Sequence, residues 1–119
     1  MQKSVPICIL VSVVLVTAIS SCVSHDFPEY VCDETYSFDA DVRPIIETKC
    51  AISGCHNGDM GSDLNWTNFE QFHKRAESGE VKFRVTHRIM PPSDSPAGPL
   101  SQEQIDALAC WTDQGAQNN

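Results

Sequence analysis

Apolar residues are distributed along this chain in two different ways. From Val5 to Ile19 they form a nearly unbroken run, interrupted only by Pro6, Ser12 and Thr17. From about residue 38 onward they recur among polar residues at helical spacing, and that spacing predicts three helices. The first starts at Asp41 as N-cap, with Pro44 tolerated in the first turn. Val42, Ile45, Ile46 and Cys50 fall at i, i+3, i+4 and i+8, which puts Cys50 on the core-facing side. The second helix opens with a capping box, Thr67-x-x-Glu70, aligns Phe69, Phe72, His73 and Ala76, and stops at Gly79. The third opens with Ser101-x-x-Gln104, with Leu100 and Ile105 as a hydrophobic staple. Ile105, Leu108, Ala109 and Trp111 form its apolar stripe, and Gly115 ends it. No segment alternates as a strand, so the expected class is all-α. Between the second and third helices, Met90-Pro91-Pro92, Pro96, Gly98 and Pro99 predict an ordered non-helical loop, because proline removes amide donors and holds its predecessor extended.

The N-terminal run has a different meaning. One basic residue, Lys3, precedes it, and the small residues Ser20-Ser21 and then Cys22 follow it. Basic, apolar, then small is the order of a secretory signal peptide. The run is short of the ~20 residues a membrane-spanning helix requires. Ile19-Ser20-Ser21-Cys22 is similar to a bacterial lipobox, in which the cysteine becomes the first mature residue and receives acyl chains. An ordinary cleaved signal with an incidental cysteine is the alternative. The expected organisation is a signal peptide over 1–21, a flexible tether over 22–37 carrying His25 and Pro28, and a folded domain over 38–119. Extended at ~3.3 Å per residue, the tether would reach on the order of 50 Å.

Charge narrows the partners. Without residues 1–21 the chain has seven basic and sixteen acidic residues, a net charge of −9. Nucleic acid is disfavoured, because its phosphates would be repelled, and so is electrostatic docking on anionic lipid. Protein partners with basic or polar faces fit better. A domain of about 80 residues builds a small core and usually needs a staple, metal or cofactor.

The chemistry is concentrated in Cys50-Ala51-Ile52-Ser53-Gly54-Cys55-His56. Two thiols at a helix end can form thioethers to haem vinyl groups, with the following histidine beneath the iron, which is the logic of Cys-x-x-Cys-His. Here the spacer is two residues longer, and Gly54 gives the loop freedom to bulge. Taken alone, the motif leaves a zinc site, a Cys50–Cys55 disulfide and a pair of free thiols open.

The order of features along residues 38–119 resembles the small monohaem cytochrome c domains of bacterial exported lipoproteins. Those residues are an amphipathic helix, Cys-x4-Cys-His-Asn-Gly, a short helix, Met-Pro-Pro, and a capped helix ending Trp-Thr-Asp-Gln-Gly-Ala. The resemblance implies a cytochrome c-like helical domain wrapped around one covalently bound haem c. It implies Cys50 and Cys55 as attachment points, His56 as proximal ligand and Met90 as distal ligand, a soft thioether that raises the reduction potential. Met60, His73 and His87 are rivals to Met90. Cys8 leaves with the signal and Cys22 takes lipid, so the scheme leaves Cys32 and Cys110, which an oxidising compartment would pair as a disulfide or leave as two buried thiols. No nucleophile–base pair is visible, so the expectation is a one-electron carrier, not an enzyme. It would be exported and anchored by lipid, facing the periplasm or the cell surface. A non-redox module with a zinc or disulfide Cys/His site, or a haem sensor or peroxidase-like protein with an open iron position, are the alternatives.

The lipobox reading has a direct check. Acyl chains at about 0.8 kcal/mol per buried CH2 would be the main hold on the membrane. Cys22→Ala is therefore expected to give soluble protein or an unprocessed precursor on membrane fractionation, and normal processing with unchanged membrane association would refute lipidation.

Overall fold

A computed structural model describes residues 30–119; the expected signal peptide, the lipobox Cys22 and His25 lie outside the described residues. Helix accounts for 49 % of the described residues and no strand occurs among them, so the class is all-α. No helix among them is long and apolar enough to cross a membrane.

The first helical stretch, α1, is continuous from Phe38 to Cys50 but changes register along its length. Phe38–Val42 and Ile46–Cys50 are π-helical and flank an α-helical turn, Arg43–Ile45. Pro44 offers no amide donor in this stretch, and wider i→i+5 bonds continue the ladder, as from the Ala51 amide to the Ile46 carbonyl at 2.7 Å. The helix begins four residues before the expected Asp41 cap. Ser37 is the N-cap, its hydroxyl accepting from the Ala40 amide, while the Asp41 carboxylate reaches back to accept from the Ser37 amide at 2.7 Å. The expected face is nonetheless the buried one: Phe38, Val42, Ile45, Ile46 and Cys50 all face inward.

Helix α2 spans Phe69–Glu77. Its cap is Asn68, not Thr67, with the Asn68 side chain accepting from the Gln71 amide. Thr67 is occupied elsewhere, because its amide and hydroxyl both donate to the Asn65 side-chain oxygen. Gly79, at φ +79°, turns the chain through the left-handed region and starts a further helix, α3, over Glu80–Thr86. That helix was not expected from the sequence. It has seven residues, three of them β-branched, and its helical state rests on burying Val81 and Val85 at i and i+4 rather than on propensity. Helix α4, Gln102–Asp113, opens with the expected reciprocal capping box between Ser101 and Gln104, at 3.2 and 3.0 Å.

Helix α4 is covered on most sides. Ile105 and the run from Ala107 to Trp111 are buried. Phe72 stacks on Trp111 with centroids 5.6 Å apart, and Phe38 lies against both rings at 6.0 and 5.6 Å. These three residues come from α2, α4 and α1, so one aromatic cluster sets how the helices meet. The Trp111 indole nitrogen donates to the Gln117 carbonyl, which leaves the ring fully packed and its polar atom satisfied.

The segment expected as a tether is docked from Tyr30 onward. Cys32 and Cys110 are joined in a disulfide. Gln114 holds the backbone at Glu34 and Tyr36. The Tyr30 hydroxyl and the Lys82 ammonium both donate to the Asp113 carboxylate, and Lys82 also sits over the Tyr30 ring. This clasp ties the segment to α3 and α4 together.

Burial acts to raise the Asp113 pKa, but the hydrogen bonds from Lys82 and Tyr30 outweigh it and hold the carboxyl below its usual value. A depressed carboxylate stabilises the fold above its unfolded pKa and loses that contribution as pH falls through the folded one. Asp113→Asn is expected to cost up to about 1 kcal/mol in urea unfolding at neutral pH, since the pair is partly exposed. The difference from wild type should shrink as pH falls below the usual Asp value and vanish at acid pH, once the carboxyl is protonated in the folded state as well as the unfolded one. An equal deficit at both pH values would show that the clasp does not act through charge.

Candidate functional site

Helix α1 ends at Cys50, and the chain then folds back on itself. The His56 amide donates to the Cys50 carbonyl at 3.1 Å, and the Trp66 amide donates to the His56 carbonyl at 2.8 Å. Between them, Gly54 takes φ +76° with open space around its α-carbon, which is the bulge that the long spacer requires. One carboxylate oxygen organises this loop. Asp59 Oδ2 accepts from the Ser53 hydroxyl at 3.0 Å, the Asn57 amide group at 2.8 Å and the Gly54 backbone at 3.4 Å. Those hydrogen bonds, led by Asn57, lower the Asp59 pKa. At Gly58 a side chain would press on Asn65, with a β-carbon only 3.2 Å from its Cγ.

The folded loop delivers its chemistry to one cavity of about 440 Å³, within the range of small-molecule sites. Cys50, Cys55 and His56 line it from the loop, and Met90 lines it from the Met-Pro-Pro segment. Its remaining wall is mostly apolar, including Ile46, Val81, Val85 and Leu108. Of the rivals to Met90, Met60 also lines the cavity but is 65 % exposed, whereas Met90 is half-buried. His73 and His87 do not line it; His73 stacks on Phe69, and the His87 ring contacts the Phe83 carbonyl at 2.8 Å. Met90 also borders a smaller cavity of about 170 Å³ behind the proline loop.

His56 stacks on Trp66, centroids 3.8 Å apart and nearly parallel. Its Nδ1 is buried and has no hydrogen-bond partner, and the same is true of the Trp66 indole nitrogen. Unmade bonds of this kind are costly in a finished structure. Burial lowers the His56 pKa, and the nearby guanidinium groups of Arg75 and Arg84 lower it further. The ring is thereby held neutral, the form that carries a free lone pair for a metal. Burial, with a smaller contribution from Cys55, pushes the Cys50 thiol up to about 12.

Cys50 and Cys55 are free thiols, so the disulfide alternative is not what the structure forms. Among the described residues no group of three or more His, Cys, Asp or Glu side chains stands in metal-binding geometry. The donor set that does share the cavity is two thiols, an imidazole and a thioether. Haem c fits that set: soft sulfur and imidazole suit iron, the two thiols suit thioether attachment, and the apolar wall suits a porphyrin face. Sequence reasoning missed Trp66, Asp59 and the Arg75, Glu80 and Arg84 group that also borders the cavity. Arginines and glutamates on short helices look like solvated faces until the helices are placed.

Comparison with family models, curated protein sequences and solved structures finds no match to this chain.

The two thiols should differ in reactivity. At pH 8 a thiol with a pKa of about 12 is thiolate in roughly one molecule in ten thousand, and Cys50 is also buried. Alkylation of the folded, haem-free chain followed by peptide mass spectrometry is expected to label Cys55 about tenfold or more faster than Cys50. Equal rates would contradict the packing of the α1 terminus.

Proposed function

We propose that this chain is a monohaem c-type cytochrome serving as a membrane-tethered one-electron carrier. The observation that carries the reading is the convergence of Cys50, Cys55, His56 and Met90 on a single, largely apolar cavity, although Met90 is 34 residues from His56 in sequence. Cys50 and Cys55 would hold the haem by thioether bonds, which explains two free thiols beside a separate disulfide. His56, neutral and braced against Trp66, would be the proximal ligand, and Met90 the distal one. When bound, haem c supplies a ferric/ferrous couple, and the protein's part is to tune it through ligands, burial and nearby charge. The apolar wall would face the porphyrin, and α1, α3 and α4 hold its sides.

Export and anchoring belong to the same reading. A disulfide between Cys32 and Cys110 suits an oxidising compartment, consistent with a signal peptide over 1–21 and lipid on Cys22. Partners would be redox proteins presenting basic or polar faces to an acidic surface.

The test uses the full chain expressed with a cytochrome c maturation system, as wild type and as Met90→Ala. Both are expected to show Soret and α bands in a reduced-minus-oxidised spectrum and to keep haem through acid–acetone extraction, because the attachment residues are intact. Only wild type should show the weak far-red sulfur-to-iron band in the ferric state. The variant should bind carbon monoxide and shift to a lower potential, as loss of a soft ligand requires. Haem extracted from wild type into the organic phase would overturn covalent attachment. A band that survives in Met90→Ala and is lost in Met60→Ala would transfer the ligand role to Met60.

A further inference from the structure

At the cavity mouth, two guanidinium groups are arranged around one carboxylate. Arg75, in the last turn of α2, donates to Glu80 Oε2 at 2.9 Å. Arg84, one turn along α3, donates through Nε and a terminal nitrogen to Glu80 Oε1 at 3.1 and 3.0 Å. Each guanidinium therefore grips a different oxygen of the same carboxylate. All three residues line the main cavity, and their side chains are between 34 and 42 % exposed, so they stand where the cavity meets solvent.

Two guanidinium groups against one carboxylate leave a positive excess at this point of a chain whose formal net charge is −8. The excess faces the cavity, which Arg75 and Arg84 both line together with His56. Lys49 also lines the cavity, but its ammonium is engaged with the Ala97 carbonyl at 2.6 Å. A forked guanidinium pair of this kind matches carboxylate geometry.

We propose that Arg75 and Arg84 form the carboxylate-binding subsite for the porphyrin that occupies the cavity, and that Glu80 is a built-in stand-in holding both arginines in place until the porphyrin carboxylates arrive. The inference rests on the haem reading above and adds to it a second set of ligand-holding residues and an orientation. The porphyrin's apolar body enters the cavity with its carboxylate edge toward the gap between α2 and α3, and its iron lies over His56. Glu80 matters in two ways. It pre-orients the forks, which lowers the cost of ordering them on binding. It also competes with the incoming carboxylates, so removing it frees both arginines for the porphyrin.

Resonance Raman spectra of the full chain matured with haem test this, because the porphyrin carboxylate-bending band reports hydrogen bonding to those groups directly. Arg75→Gln and Arg84→Gln are each expected to shift the band to lower frequency, with Arg84→Lys intermediate because it keeps the charge and loses the fork. Glu80→Gln is expected to shift it to higher frequency. A band unmoved in both arginine variants, with haem attached and the visible spectrum retained, overturns the subsite while leaving the cytochrome reading intact. If the arginine variants do not fold, Glu80→Gln decides alone: a rise supports the subsite, and an unchanged band overturns it. A wild-type chain that takes no haem under maturation overturns the cytochrome reading and this inference with it.

Discussion

Almost every feature of this molecule depends on the burial of α4. Ile105 and the run from Ala107 to Trp111 present apolar surface in nearly all directions, and a helix of that character has to be covered by other elements. Phe72 from α2 and Phe38 from α1 close over Trp111, while Val81 and Val85 of α3 pack where α3 lies along α4. Once α1 is committed to this cluster at its start, its other end must emerge beside Leu108, and Cys50 is delivered to the cavity wall. The site is thus a consequence of core packing and not a separate construction on the surface.

A core of this size is supported by links beyond apolar burial. The Cys32–Cys110 disulfide and the Tyr30–Lys82–Asp113 clasp fasten an otherwise irregular segment across α3 and α4. They act on two of the helices that wall the cavity, so holding the N-terminal segment also helps hold the cavity shape. The cavity of about 440 Å³ withdraws apolar side chains from close contact, and the porphyrin proposed for it would restore that contact.

The electrostatics of the cavity run against those of the chain. The protein is acidic, yet the cavity is bordered by Arg75, Arg84 and Lys49 with Glu80 as the acidic group among them. Burial, reinforced by Arg75 and Arg84, lowers the His56 pKa, and burial pushes the Cys50 thiol up. Acidity elsewhere, as at Asp59, works locally: there a single carboxylate oxygen gathers the loop that carries Cys55 and His56.

Periodicity and capping patterns were enough for the all-α class, the buried face of α1 and the capped start of α4, while Cys50, Cys55 and His56 stood out as a motif and Met90 only through the resemblance. These are local properties: a repeat of three to four residues, or a cap three residues from its partner, is written in adjacent positions. Where two local solutions compete, adjacency is not enough. Ser37 and Asp41 can both cap α1, and Thr67 and Asn68 can both cap α2, and the outcome depended on Asn65 capturing Thr67 and on Phe38 being needed in the core. Helix α3 was invisible for the same reason, since Val81, Val85 and Thr86 are poor helix formers until α4 covers them. The sequence favoured Met90 over Met60, and packing leaves Met60 exposed and Met90 half-buried. The pairing of Arg75 and Arg84 around Glu80 likewise needed the left-handed turn at Gly79 to bring α2 and α3 together. Distance along the chain says nothing about such meetings, because they are set by which surfaces must leave water at the same time.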